Sequence, residues 1–234
     1  MPLSSYQNRL LAGLPHDELA AIEPLLEPIN LPKALKLALP EEAIEHVYFL
    51  EEGLGSIVSV SPEGQKVEAG MFGYEGFAPT PPAVGSSISF HEVIIQGAGH
   101  GHRIKVEDMW AVMPVCQVFS NRLHRSAHNL ATQVSYTALT NALHQVDERL
   151  GRWLLMCHDR LRQDEFQITH EYMALMLAVR RPSVTTSLHV LEGNRFIRAE
   201  RGRVIIRNRK ALEDFARESY GRPEAEYALL FPSS

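Results

Sequence analysis

The stretch from Ile168 to Arg209 limits the fold more than any other part of the chain. Its spacing predicts a short helix over Thr169–Leu177, a tight corner at Ala178–Arg180 and a second helix over Arg181–Leu191. Gly193 and Asn194 stop that second helix. Two β-rich runs, Phe196–Ala199 and Val204–Arg207, flank a turn at Glu200–Arg203. Val184, Leu188 and Leu191 are expected in the core, with Leu175, Leu177 and Ile197.

The formal net charge is −5, but it is unevenly distributed. Residues 1–143 hold 8 Lys and Arg against 15 Asp and Glu, whereas residues 180–210 hold nine basic residues against two acids. A local basic patch is what phosphate binding needs, whatever the global sum. Two helices at a steep angle, a hairpin and this patch are the layout of a winged helix-turn-helix, whose second helix is expected to enter the DNA major groove.

At 234 residues, with 45% apolar and 22% charged side chains, the chain is long enough for two ordinary domains. No apolar run is long enough to span a bilayer, and the N-terminus has no basic segment leading into an apolar one. A cytoplasmic protein without membrane partners is expected. Cys116 and Cys157, with no CxxC, support neither a disulfide framework nor a zinc finger, and read as buried small hydrophobes. GxSxG, HExxH and P-loop motifs are absent, so no enzyme is expected.

The remaining chain reads in order. Residues 6–27 are expected to be helical, with a restart at Pro15–Glu18, until Pro28, Pro32 and Pro40 forbid a long helix. From Val47 to Gln96 short β-rich runs (47–50, 56–60, 67–69 and 91–96) alternate with turn residues such as Glu52-Gly53, Pro62-Glu63-Gly64 and Gly97-Ala98-Gly99. Such spacing indicates a small antiparallel roll or barrel. After Met113-Pro114 nearly fifty residues are helical, with a hinge expected near Asn141–His144. Leu123, Ala127, Leu130, Val134, Thr137 and Asn141 recur at coiled-coil spacing and read as a dimer seam. The alternative is an amphipathic helix lying on its own domain.

This order of parts resembles the Crp/Fnr superfamily of bacterial transcription regulators. The resemblance is carried by VRRPSVT (179–185), by VYFLEEGLGSIV (47–58) and by RLGRWLL (149–155). It implies an α+β chain: a cyclic-nucleotide-binding-like antiparallel β-roll over 1–113, a dimerisation helix over 114–143 and a winged helix-turn-helix over 144–234. It implies a homodimer on double-stranded DNA, with RNA polymerase as a further partner of an activator. Arg181 stands where the family reads guanine, a contact its planar fork suits; a phosphate contact alone is the alternative. Pro182 stands where the cyclic-AMP-responsive type usually has Glu, and Thr186 where that type has a second reading Arg. A different operator is therefore implied.

Ser183, Thr186 and His189 share a face of the second helix, and Arg180 precedes it. Thr169 can cap the first helix, contact phosphate, or both. Arg201 and Arg203 flank Gly202 at the wing tip, as backbone contacts or as a solvated turn. In the roll, Glu75 stands in the region of the family's ribose-binding carboxylate, but Ser86–Gln96 contains no arginine for a cyclic phosphate. A buried phosphate without that partner is poorly compensated, so cyclic AMP is not expected and any effector is unknown. Two cysteines cannot ligate an iron–sulfur cluster. The pairs His100/His102 and His124/His128 lack a third ligand, so no metal or cofactor is expected, with a haem- or metal-responsive sensor as the alternative.

Overall fold

A computed structural model describes residues 6–232 of the chain. Two compact units emerge: one comprises residues 1–59 and 71–130, the other residues 60–70 and 131–234.

The first unit opens with two short helices, α1 (Arg9–Ala12) and α2 (His16–Ile22), which divide the expected helical stretch at its restart. Asn8 caps α1 by accepting from the backbone of Leu10 and Leu11, and Pro15 starts α2 as its sequence position suggests. A 3-10 turn then leads into β1 (Glu27–Leu31), a strand despite Pro28, and β2 (Lys36–Ala38). Two long strands dominate the roll, β3 (His46–Val60) and β5 (His91–Lys105), with β4 (Lys66–Phe72) between them in sequence. The sheet order is β1-β5-β3-β4, with β2 also on β5.

The two long strands absorb turns that the sequence suggested. Glu52-Gly53 and Gly97-Ala98-Gly99 do not reverse the chain; they lie in the β3–β5 ladder, where the register shifts between Leu50 and Gly55. A Cβ on Gly99 would meet the Glu52 carbonyl at 2.1 Å, and one on Gly101 the Phe49 carbonyl at 2.2 Å. These glycines permit close backbone approach at a bulged bend rather than a turn. The roll interior is filled by Leu31, Leu37, Leu50, Ile57, Phe72, Val93 and Ile95.

Helix α3 (Val106–Val112) follows, then α4 (Gln117–Leu143). At 1.5 Å per residue, α4 is about 40 Å long. Its amino end is capped by Glu18, whose carboxylate accepts from the backbone of Val118 and Phe119 at 2.9 and 2.8 Å. Of the expected seam, Leu123 is fully buried within the unit and Leu130 packs on the roll core. Ala127, Val134 and Thr137 are half-buried, and Asn141 alone is exposed. A series one step round the helix, including Ala131, Ser135, Ala138 and Ala142, faces outward, flanked by exposed Leu139 and Leu143.

The helical stretch breaks at His144-Gln145, next to the expected hinge, and a capping box between Gln145 and Glu148 starts α5 (Val146–Leu161). In the second unit α5 is the central helix. A strand that the sequence did not reveal, β6 (Glu165–Gln167), precedes α6 (His170–Met176) and α7 (Arg181–Gly193). The wing is β7 (Ile197–Glu200) and β8 (Arg203–Ile206), and the sheet order β6-β8-β7 makes the wing three-stranded. Two further helices, α8 (Arg209–Ala216) and α9 (Arg222–Leu230), close the unit. Gly151 lets α8 approach α5, since a Cβ there would lie 3.3 Å from Leu212.

Candidate nucleic-acid interface

The helix-turn-helix is set by buried apolar residues on both helices. Met173, Ala174, Met176 and Leu177 turn inward from the first, and Val184, Ser187, Leu188 and Leu191 from the second. Leu175, expected in that core, is instead 41% exposed on the outer side of α6. The corner takes a left-handed residue at Ala178, with φ of +51°. Arg149, half-buried on α5, donates to the Leu177 carbonyl and so satisfies an orphan group at the end of α6. Burial lowers its guanidinium pKa.

Thr169 acts as the expected cap: its hydroxyl accepts from the Tyr172 N–H at 3.2 Å. Arg180 is the residue before α7 and Arg181 its first, with Pro182 in the first turn where its missing N–H costs nothing. Both arginines are exposed, as are Pro182, Thr186 and His189, while Ser183 is half-buried. The Thr186 hydroxyl donates to the Pro182 carbonyl at 3.1 Å, which leaves its oxygen lone pairs outward. Thr185 works inside the motif: its hydroxyl lies 3.1 Å from His170 Nδ1 and ties the two helices together.

The basic residues of 180–210 fall into distinct classes. Arg209 belongs to the scaffold. It pairs with Asp159 at 2.6 Å and Glu213 at 2.9 Å, and donates to the Tyr220 hydroxyl and to His158 Nδ1. His158 Nδ1 therefore accepts, and its Nε2–H donates to Asp164. Lys210 pairs with Asp214, and Arg198 with Glu200. Arg203 is held by both Glu200 and Glu165, and the Arg203 hydrogen bond depresses the Glu200 pKa. Arg181 meets Glu171 at 2.8 Å, but both side chains are 64% exposed, so the pair is weak and easily exchanged.

Arg180, Arg195, Arg201 and Arg207 make no ion pair among the described residues. The sequence patch is thus smaller than its count suggests. Its available cations are Arg180 and Arg181 at the start of α7, Arg195 after it, and Arg201 and Arg207 on the wing. Gly202, with φ of +76°, forms the wing turn and leaves Arg201 exposed beside it. Sequence reasoning passed over Glu171 and Glu165, which occupy Arg181 and Arg203, because each lies on a different element from its partner.

In the roll, Glu75 is half-buried in the Gly73–Gly76 turn. Phe72 fills the interior close by: a Cβ on Gly55 would meet its ring at 2.2 Å. His100 faces Glu52 at 3.8 Å and His102 faces Glu51 at 3.4 Å. His124 bonds the Ala83 carbonyl at 2.8 Å. Among the described residues no three of His, Cys, Asp and Glu gather as a metal site requires. Cys116 and Cys157 are buried, and burial raises both thiol pKa values. No helix among the described residues is long and apolar enough to cross a membrane.

Comparison with known proteins agrees with this anatomy. Residues 148–215 match the Crp-like helix-turn-helix domain family. No curated protein matches the chain. Among solved structures, a transcriptional regulator of the Crp/Fnr family from Eubacterium rectale is similar at 18% identity and a TM-score of 0.68, over 88% of this chain and 96% of that one. FixK2 from Bradyrhizobium japonicum is similar at 13% identity and a TM-score of 0.66, over 82% and 98%. The c-di-GMP responsive global regulator CLP of Xanthomonas campestris is similar at 14% identity and a TM-score of 0.65, over 82% and 99%. The chain has the α+β fold of the Crp/Fnr transcription regulators and carries, in residues 148–215, the Crp-like helix-turn-helix domain of that superfamily.

Proposed function

We propose that the chain is a sequence-specific DNA-binding transcription regulator that works as a homodimer and lays α7 in the major groove. The observation that carries this reading is the start of α7: Arg180 and Arg181 are exposed, with Thr186 and His189 on the outer face, while Val184, Leu188 and Leu191 anchor the inner one. Arg181 reads a base, and Arg180, Ser183, Thr186 and His189 line the same groove. Thr169, Arg201 and Arg203 address the backbone, with Arg203 the weaker contributor because two acids already hold it. The outward side of α4, with Ala131, Ala138, Leu139 and Leu143, supports pairing of two copies. Two recognition helices would then meet grooves one helical turn apart. Contact with RNA polymerase belongs to this reading if the regulator activates.

The roll is read as unable to take cyclic AMP. Phe72 and its apolar neighbours occupy part of its interior, and Ser86–Gln96 lacks an arginine for a cyclic phosphate. CLP, a regulator of the same fold, responds to c-di-GMP, so another nucleotide or small molecule is the second reading for the effector. The DNA-binding proposal is tested by electrophoretic mobility shift of the full chain against a genomic fragment library, with salt titration. Binding whose affinity falls steeply with salt is expected; absent or salt-insensitive binding sinks the proposal. Calorimetric titration with cyclic AMP is expected to give no binding heat.

A further inference from the structure

Residues 60–70 form the far end of the β3–β4 hairpin, yet they belong to the compact unit that contains the helix-turn-helix. The turn satisfies its own backbone. Ser61 N–H donates to the Gln65 carbonyl at 2.9 Å, Gly64 N–H to the Ser61 carbonyl at 2.8 Å, and Gln65 N–H to the Ser61 hydroxyl at 3.0 Å. Gly64 supplies the left-handed residue, with φ of +80°. Such a turn keeps its shape whether or not another surface lies against it.

Glu68, on the returning strand, is only 5% exposed although it is a carboxylate. Its Oε1 accepts the indole N–H of Trp153, on α5, at 2.7 Å, and Trp153 is itself buried. Beside it Arg152 is buried too; burial pulls its guanidinium pKa down to about 10, opposed by the charges of Glu224 and Glu68. Two residues before Glu68, Lys66 lines a concave surface with Glu171, Leu175, Ala178 and Arg180. The hairpin therefore lies along the outer side of α6 and the corner that precedes α7.

We propose that the Val60–Gly70 hairpin is a releasable latch on the DNA-binding unit, held by Glu68 on Trp153 and inhibiting DNA binding while it is docked. Loss of the Trp153 donor weakens docking, because a buried carboxylate deprived of a hydrogen bond is poorly compensated. Inhibition follows from Arg180, which lines the same concavity as Lys66, so duplex and hairpin compete for one side of the corner. Strands β3 and β4 carry the chain from the roll into this hairpin, so an effect on the roll reaches the latch along the backbone. The inhibitory half of the proposal rests on the DNA-binding reading above; the docking half does not.

The test uses the full chain in a Trp110→Phe background, which leaves Trp153 as the sole indole. Glu68→Lys should shift Trp153 emission to the red, raise hydrogen exchange across 60–70 at least tenfold, and tighten DNA binding at least fivefold. Glu68→Gln, whose amide oxygen still accepts the indole N–H, should retain the docked emission and affinity. Trp153→Phe, in the otherwise native chain, removes only the donor and keeps most of the ring volume. It should reproduce the exchange and affinity changes of Glu68→Lys if that variant folds poorly. Unchanged exchange across 60–70 in both disruptive variants overturns the latch. Faster exchange with unchanged or weaker DNA binding overturns its inhibitory role. If neither the native chain nor any variant binds DNA, the DNA-binding reading and the inhibitory role fall together, while emission and exchange still decide docking.

Discussion

The β-roll and the face of α7 use their side chains in opposite ways. In the roll, space and charge are both consumed internally. Phe72 lies where a Cβ on Gly55 would be, Glu18 caps α4, and Arg122 donates to the carbonyls of Arg9 and Leu10 at the end of α1. At the start of α7 the polar groups are held loosely: Arg181 has one exposed acid, and Arg180 and Arg201 have no ion-pair partner among the described residues. A region that must exchange water for a partner needs groups whose present bonds are weak. By that measure the α7 face is equipped to bind and the roll interior to stay closed.

The largest expected effect lies in the roll. Phe72→Ala should destabilise the protein by about 3–5 kcal/mol, because it removes a buried ring and leaves a cavity. Gly55→Ala should also destabilise it, since the new methyl must push the Phe72 ring aside. Combined with Phe72→Ala, however, it should cost much less than it does alone. Denaturant melts of the two single variants and the double variant check this. Strict additivity would mean that Phe72 does not fill the space beside Gly55, and the contrast with α7 would lose its basis.

The α7 face comes next. Arg181→Ala should cost about 1–3 kcal/mol of discrimination between operator variants, measured by competition binding. Arg201→Ala should weaken all DNA alike and reduce the slope of log affinity against log salt by about 0.9. Arg203→Ala should change that slope less, because Glu200 and Glu165 already neutralise it. If Arg203→Ala matches Arg201→Ala, loose pairing is not what selects the DNA contacts.

How far the sequence carried these conclusions depends on the range of the forces involved. Local signals were legible: Thr169 as a cap, Pro182 in a first turn, Gly202 at the wing tip, and the helix break near His144. Each rests on backbone preferences within a few residues. Long-range pairings were not. Gly53, Gly97 and Gly99 read as turns because glycine serves turns and bulges alike, and only the β3–β5 register separates the two. Arg209 counts toward the basic patch in sequence, but Asp159, fifty residues earlier, makes it scaffold. Leu175 read as core because helical spacing gives the width of an apolar stripe only to within a residue. Helices α8 and α9 follow the stretch whose pattern was most distinctive, and their short apolar series drew no expectation.

The smallest effect tests how the buried charges of the second unit are balanced. Glu224, on α9, is half-buried, and burial raises its carboxyl pKa against the opposing pull of Arg160 and Arg152. A raised folded-state pKa means that folding favours the protonated acid. Above that pKa the ionised group is a cost to stability, and the cost is relieved as pH falls toward the unfolded value. Glu224→Gln removes the charge, and its amide oxygen can still accept the Gly221 N–H that Glu224 now takes at 3.1 Å. The variant should therefore melt about 2 °C higher than the native protein at neutral pH, and the gap should close as the pH is lowered through the carboxylate range. A gap that widens on acidification would mean that Arg160 and Arg152 outweigh burial, so that Glu224 is a stabilising partner. The second unit would then hold an inward ion cluster as firmly as the roll holds its own, and the contrast would narrow to the α7 face alone.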